Sequence, residues 1–206
     1  MNNIKMKVRK SLSVVMITVL CSSCAFQMEP LYKEKRTLYY YNINSVAVLP
    51  FIDYTETRGA TAEMTKIFTE ELARFNESGI VHSTAMFDYL IQNKIELTDK
   101  NVREIGVAVG KVFNVDAVII GAITEYDEYF PPKLGLSLEV VTVADGETIY
   151  AVSETYDASF NFVRKELEEF CGVKKVQDSV YGNELIMQKM DLYAEFVSYQ
   201  IIKKNL

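Results

Sequence analysis

The residues best placed to do chemistry lie together near the middle of the chain. Glu125, Asp127 and Glu128 alternate with Tyr126, Tyr129 and Phe130, just before Pro131-Pro132. Neighbouring carboxylates can divide general acid and general base work when their surroundings push their pKa values apart. The same residues also read as a solvated turn. A third reading is a partner-binding loop (Tyr126, Glu128, Tyr129, Phe130, Pro131, Pro132), because aromatic side chains on a rigid loop suit the core of an interface. No Ser or Cys nucleophile stands in an evident relation to a base. The single histidine, His82, has no Cys, His or acidic residue at ligand spacing. A transition-metal site needs several ligands, so His82 reads as a surface or satisfied core residue. Gly106-Val-Ala-Val-Gly110-Lys111 has some likeness to a phosphate loop. Its spacing is wrong, no Ser or Thr follows the lysine, and it lies inside a helical pattern. No catalytic residue, cofactor or metal is expected, and the chain is read as a non-enzyme.

Cysteine chemistry points elsewhere. Lys5, Lys7, Arg9 and Lys10 form a positive cluster, followed by an almost wholly apolar run from Leu12 to Leu20. Ser22 and Ser23 then precede Cys24. That is the order of a secretory signal, and the apolar run is well short of the ~20 residues a spanning helix needs. Ser22-Ser23-Cys24 resembles a lipobox, with Cys21 where leucine is usual and Leu20 one step further out. The expectation is a signal peptide over 1–23, cleavage before Cys24, and acylation of that cysteine. The alternative is ordinary secretion with Cys24 buried or bridged. Each buried methylene contributes ~0.8 kcal/mol, so several acyl chains on one cysteine anchor stably. Ala25 follows the cysteine, which resembles an outer-membrane address and places the protein on the periplasmic side of the envelope.

Charge narrows the partners. The chain has 22 basic and 28 acidic residues, and 1–23 holds four basic and no acidic ones. Cleavage would leave 18 basic and 28 acidic side chains, a net charge of −10. Nucleic acid requires basic patches, so it is excluded as a partner, as is electrostatic attachment to anionic lipid. Membrane contact must run through acyl chains on Cys24 or through a protein. The length after cleavage suits one domain. With Cys24 lipidated, Cys171 stands alone; it reads as a small buried hydrophobe, with an intermolecular bridge as the minor alternative.

The elements that must position these residues follow from periodicity. Residues 24–44 read as a tether, with Pro30, the charged Lys33–Arg36 stretch and Tyr39-Tyr40-Tyr41. Residues 45–206 read as a single α/β domain, with a C-terminal helical extension over 171–206. Ser45 to Phe51 is a short apolar run, a strand buried on both faces and closed by Pro50. Met64, Ile67, Phe68, Leu72 and Phe75 make a helical stripe, stopped before Gly79. Ile80-Val81 begins a second strand. Ser83 or Thr84 caps a helix through Ile91. Thr98 or Asp99 caps another through Val112, with Val102, Ile105, Val109 and Val112 inward. Asp116 to Ile123 is the next strand, running on to Tyr126. The order is α/β. Leu134, Leu136, Leu138 and Val140 then alternate with small or polar residues, Asp145-Gly146 signals a hairpin turn, and Glu147 to Tyr156 returns. The remainder is helical: short over Phe162 to Phe170, long over Glu184 to Lys204.

The stretches SVAVLPFIDYTETRGATAEMTKIFTEELARF, NVDAVIIGAITEY and LGLSLEVVTVADGETIYAVSETYD resemble the envelope lipoproteins related to CsgG, PelC and LpoB, whose shared domain is similar to the N-terminal domain of TolB. The resemblance covers roughly 45–157. It implies a three-layer-type mixed sheet with helices packed on it, ending in an antiparallel hairpin and C-terminal helices. It also implies a non-enzymatic assembly, scaffold or secretion-accessory lipoprotein with protein partners in the envelope, and homo-oligomerisation among the arrangements open to it. An activator of a peptidoglycan synthase, as LpoB is, is the alternative, ahead of an envelope hydrolase using Glu125–Glu128. The chain departs from CsgG in having no further ~10-residue alternating segments fit to face lipid, so a pore built by this chain alone is not expected.

Overall fold

Ser45–Val48 forms a strand, β1, whose alternating side chains enter two different cores. Val46 and Val48 point to one face, and Ala47 and the following Leu49 to the other. A strand buried on both faces must be apolar throughout, which accounts for the unbroken run. The computed structural model describes residues 37–75, 79–174 and 182–206, all within a compact unit spanning Lys35–Leu206. The signal segment, Cys24 and the tether as far as residue 36 lie outside the described residues. The fold begins ahead of residue 45. Thr37–Tyr40 makes a single helical turn, α1, and Leu38 is buried in the core.

Pro50 ends β1 because it has no N–H to give the ladder. Pairing resumes at Ile52–Asp53, β2. Between them the Phe51 N–H donates to Thr65 Oγ1 at 2.9 Å, so this buried donor is satisfied from a helix. That helix is α2, Ala60–Phe75. It is followed by β3, Gly79–Val81, then α3, Ser83–Gln92, and α4, Val102–Phe113. The long hairpin strands come next: β4, Ala117–Asp127; β5, Lys133–Thr142; and β6, Thr148–Asp157. Helices α5, Asn161–Lys174, α6, Gly182–Gln188, and α7, Met190–Asn205, complete the chain.

The six-stranded sheet has the order β3-β1-β4-β5-β6, with β2 pairing on β4. β1 is parallel to β3 and β4, and β2 is parallel to β4. β4, β5 and β6 are antiparallel. Asp116 fixes the start of this register: its Oδ2 accepts from the Asn44 and Ser45 N–H groups at 2.8 and 2.9 Å, and from the Ser45 hydroxyl at 3.0 Å. Helices cover both faces. α2, α5, α6 and α7 bury Phe68, Leu72, Leu167, Ile186 and Phe196 against Val46, Ile119 and Leu136. α3 and α4 bury Met86, Leu90 and Val109 against Ala47, Val118 and Val141. The structure is thus the three-layer mixed α/β arrangement.

Several boundaries differ from expectation. α4 starts at Val102, because residues 98–101 form a separate turn in which Thr98 O accepts from Val102 N–H at 2.9 Å. Val112 is exposed. It lies ten residues beyond Val102, about 80° round the helix from it, while Gly106, Val109 and Gly110 face the sheet. The long C-terminal helix is broken at Lys189, whose backbone is extended (φ −126°, ψ 113°). α5 is longer than the Phe162–Phe170 stripe suggests. In the described part of the C-terminal extension, Cys171, Ile186, Tyr193, Phe196 and Ile201 all belong to the core. Burial pushes the Cys171 thiol up, away from the thiolate that reacts.

Candidate functional site

The turn between β4 and β5 carries the residues singled out at the start. Tyr126 is the inward member, half-buried on β4 opposite Leu134 of β5. Its hydroxyl is pushed up to about 12, first by burial and then by the carboxylates of Glu63, Glu128, Asp191 and Asp53. Those four come from α2, the turn, α7 and β2. Tertiary folding therefore brings the charges of Asp53, Glu63 and Asp191 to bear on a residue that in sequence had only Glu125, Asp127 and Glu128 beside it.

The three sequence-adjacent carboxylates take separate structural roles. Glu125 forms an ion pair with Lys133 across the first rungs of β5, at 2.6 Å. That contact holds the Lys133 ammonium above its ordinary value. Asp127 Oδ1 accepts from the Tyr129 N–H at 3.0 Å, an Asx-type turn bond that fixes the loop's entry. Glu128 stands exposed beyond the strand end. Two of the three are thus occupied in shaping the turn.

The exit of the turn is anchored as firmly. Pro132 is buried, and its carbonyl accepts from Ala158 N–H at 3.0 Å. The Phe130-Pro131 peptide is cis. Ala158 belongs to the turn after β6, where Asp157 Oδ1 accepts from Ser159 N–H at 2.8 Å and Arg164 Nε donates to the Ala158 carbonyl at 2.7 Å. The two turns are therefore neighbours at one end of the hairpin. Between their anchors the aromatic side chains point outward. Tyr129 is 79% exposed and Phe130 63%. Phe160 and Phe162, 55% and 63% exposed, stack on each other at 5.8 Å with an interplanar angle of 23°. Sequence reading missed the second pair. The signal available was Phe160-x-Phe162 directly after the end of the predicted hairpin, whose pairing of Lys133 with Asp157 sets it beside the first turn.

The remaining sequence candidates lie elsewhere. His82 is exposed at the residue preceding α3, and its side chain makes no capping bond. Gly106 and Gly110 sit where α4 meets the sheet. A Cβ on Gly106 would come within 2.9 Å of Leu49 Cδ1, and one on Gly110 within 2.4 Å of Val143 Cγ2. Close helix–sheet approach explains these glycines, and Lys111 beside them is exposed. Among the described residues, no group of three or more His, Cys, Asp and Glu is arranged to hold a metal ion. Among them too, no helix is long and apolar enough to cross a membrane. Cys24 lies outside the described residues.

Neither a family model nor a curated protein sequence matches this chain. Solved structures do match. Lipoprotein GNA1162 from Neisseria meningitidis is 15% identical with a TM-score of 0.50, covering 66% of this chain and 99% of that one. The PelC dodecamer from Paraburkholderia phytofirmans is 18% identical with a TM-score of 0.41, covering 56% and 72%. The C-terminal domain of LpoB from Escherichia coli is 15% identical with a TM-score of 0.43, covering 54% and 81%. At these identities the likeness is one of fold, and the fold shared with the Neisseria lipoprotein is a mixed α/β domain with helices packed on a mixed sheet.

Proposed function

We propose that this chain is a lipid-anchored protein of the cell envelope that works as a non-enzymatic assembly or secretion-accessory component. Acyl chains on Cys24 hold it to a membrane, by its Ala25 signal the outer one, and the β4–β5 turn is offered to protein partners. The observation that carries the partner half is the exposure of Tyr129 and Phe130 on a turn that is fixed at both ends. Exposed aromatics on a loop that loses little freedom on binding are what an interface core uses. The anchoring half rests on the positive cluster, apolar run and Ser22-Ser23-Cys24 of the chain itself. The fold match to a protein described as a lipoprotein accords with it.

The test takes the full chain and Cys24→Ala, each produced in a diderm bacterium. Intact mass of the amino-terminal peptide and membrane fractionation are then measured. Acylation at Cys24 that is lost with membrane retention in Cys24→Ala supports the reading. An unacylated chain released to the soluble fraction sinks the anchor. Turnover of an envelope glycan or peptide that disappears in Glu125→Gln, with the fold intact, would refute the non-enzymatic part.

A further inference from the structure

The last strand of the sheet has an open edge. β6 stands at the end of the order β3-β1-β4-β5-β6. The Ala158 N–H donates to the Pro132 carbonyl at 3.0 Å, and from there the pairing runs without a shift from Asp157 opposite Lys133 back to Tyr150 opposite Val140. Opposed residues of an antiparallel ladder alternate between bonded and non-bonded pairs. Tyr150, Val152, Glu154 and Tyr156 therefore direct their backbone groups to β5, and the N–H and C=O groups of Ala151, Ser153 and Thr155 point away from it. Among the described residues, none accepts from these outward N–H groups. The Ala151, Ser153 and Thr155 side chains are exposed as well. Edge strands are commonly blunted by lysine, proline or a bulge. Thr148–Asp157 holds no lysine, arginine or proline, and its register shift falls ahead of Ala151.

The order of residues along β6 shows which strand fits this edge. A two-fold axis through Ser153 sets Ser153 against Ser153 of a second copy, Ala151 against Thr155, Val152 against Glu154 and Tyr150 against Tyr156. Small side chains then meet on the exposed face, and the two tyrosines meet on the face turned to the core. No like charges stand directly opposite each other, the arrangement that weakens a cross-strand pair. Glu154 already accepts from Tyr156 and Asn205, at 2.7 and 3.3 Å, so covering it leaves its carboxylate satisfied. An axis moved to Glu154 would set that carboxylate against its own copy, and one moved to Val152 would part the tyrosines. The sheet's other edge, β3, has 3 residues against the 10 of β6, so head-to-tail pairing of the two edges would leave most of β6 bare.

Resting on the assembly reading above, we infer that β6 pairs antiparallel with β6 of a second copy about a two-fold axis at Ser153, making one continuous sheet of two. The pairs Ala151–Thr155, Ser153–Ser153 and Thr155–Ala151 each exchange two backbone hydrogen bonds. The contact is isologous and closes at two copies.

The experiment uses the purified full chain in two differently tagged copies under mild oxidation, with the wild-type chain setting the background from its own cysteines. Disulfides are located by mass spectrometry of the linked peptides. Opposed residues of a bonded pair lie about 5.5 Å apart at Cα, inside the ~4.4–6.8 Å that a disulfide spans. Ser153→Cys should link to itself. Ala151→Cys mixed with Thr155→Cys should link between copies. Either of these alone should link to itself at least tenfold less, because its own copy lies about 13 Å along the strand. Adding Ser153→Lys to the mixed pair faces like charges across the axis and should cut the link at least tenfold, with an unchanged circular dichroism spectrum showing that the fold is intact. No link above background in any variant overturns the inference. Ala151→Cys linking to itself as well as to Thr155→Cys overturns the antiparallel register, and a link that survives Ser153→Lys overturns the axis. A chain whose β6 stays unlinked can still be acylated at Cys24 and bind a partner through the β4–β5 turn, and linking through β6 needs neither, so the two readings fail separately.

Discussion

Replacing Phe196 tests whether the C-terminal helices are part of the domain's core. Phe196 is fully buried on α7. Its ring centroid lies 5.7 Å from Tyr156 of β6, 5.6 Å from Phe170 of α5 and 5.6 Å from Tyr193 of its own helix. A buried aromatic side chain removes about 150–250 Å² from water. For a phenyl ring near the lower end, at ~25 cal/mol per Å², this is about 4 kcal/mol. That agrees with the roughly 3–5 kcal/mol lost when core phenylalanines become alanine. Against a total stability of about 5–15 kcal/mol, Phe196→Ala should remove a large share. The assay is urea unfolding of the full chain followed by far-UV circular dichroism, with the slope m compared so that the change is assigned to stability. Phe162→Ala is the control: an exposed phenylalanine should change stability by less than about 0.5 kcal/mol. A loss below about 1 kcal/mol for Phe196→Ala would refute the reasoning, because it would mean that 171–206 folds as an appendage and that the packing on β6 and α5 adds little.

Three other outcomes follow from particular contacts. Tyr193 is buried and its hydroxyl has no hydrogen-bond partner among the described residues, so Tyr193→Phe removes an unrepaid desolvation and should raise stability by about 1 kcal/mol; Tyr156→Phe should lower it, because that hydroxyl donates to Glu154 and accepts from Lys204. A Cβ on Gly121 would stand 2.3 Å from the Phe51 ring, and Gly121→Ala should cost about 1–3 kcal/mol by overpacking, read as a lower urea midpoint. Glu71 and Glu195 are both held above the ordinary carboxyl value of 4.5, chiefly by burial. A raised carboxyl contributes stability that is complete below that value and is lost as pH rises through its folded pKa. The urea midpoint attributable to this pair should therefore fall from pH 4.5 upward, and Glu195→Gln should flatten the fall; identical profiles for the two proteins would count against it.

Much of the fold was legible because local rules and tertiary needs agreed. The unbroken apolar run at 45–51 became a strand buried on both faces. The stripe from Met64 to Phe75 became α2. Asp145-Gly146 became the β5–β6 turn, with Gly146 at φ 76°. Leu134, Leu136, Leu138 and Val140 alternated with smaller or polar residues and became one wholly buried face of β5. Errors came where packing overrode periodicity. Val112 continues a helical pattern but faces water, and the continuous stripe over 184–204 hides the break at Lys189.

By itself, the sequence held the basic cluster, apolar run and candidate lipid cysteine from which export is expected, the acidic balance, the α/β class, and the aromatic turn at 126–132. These are properties of residue type and near spacing, which need no long-range contact. The tertiary structure alone decided that the carboxylates of Asp53, Glu63 and Asp191 act on Tyr126 and that the last helices belong to the core. Each of those depends on segments far apart in the chain. Their meeting is set by strand order and by burial of both sheet faces, and no local pattern in a single sequence encodes which distant helix covers a given strand.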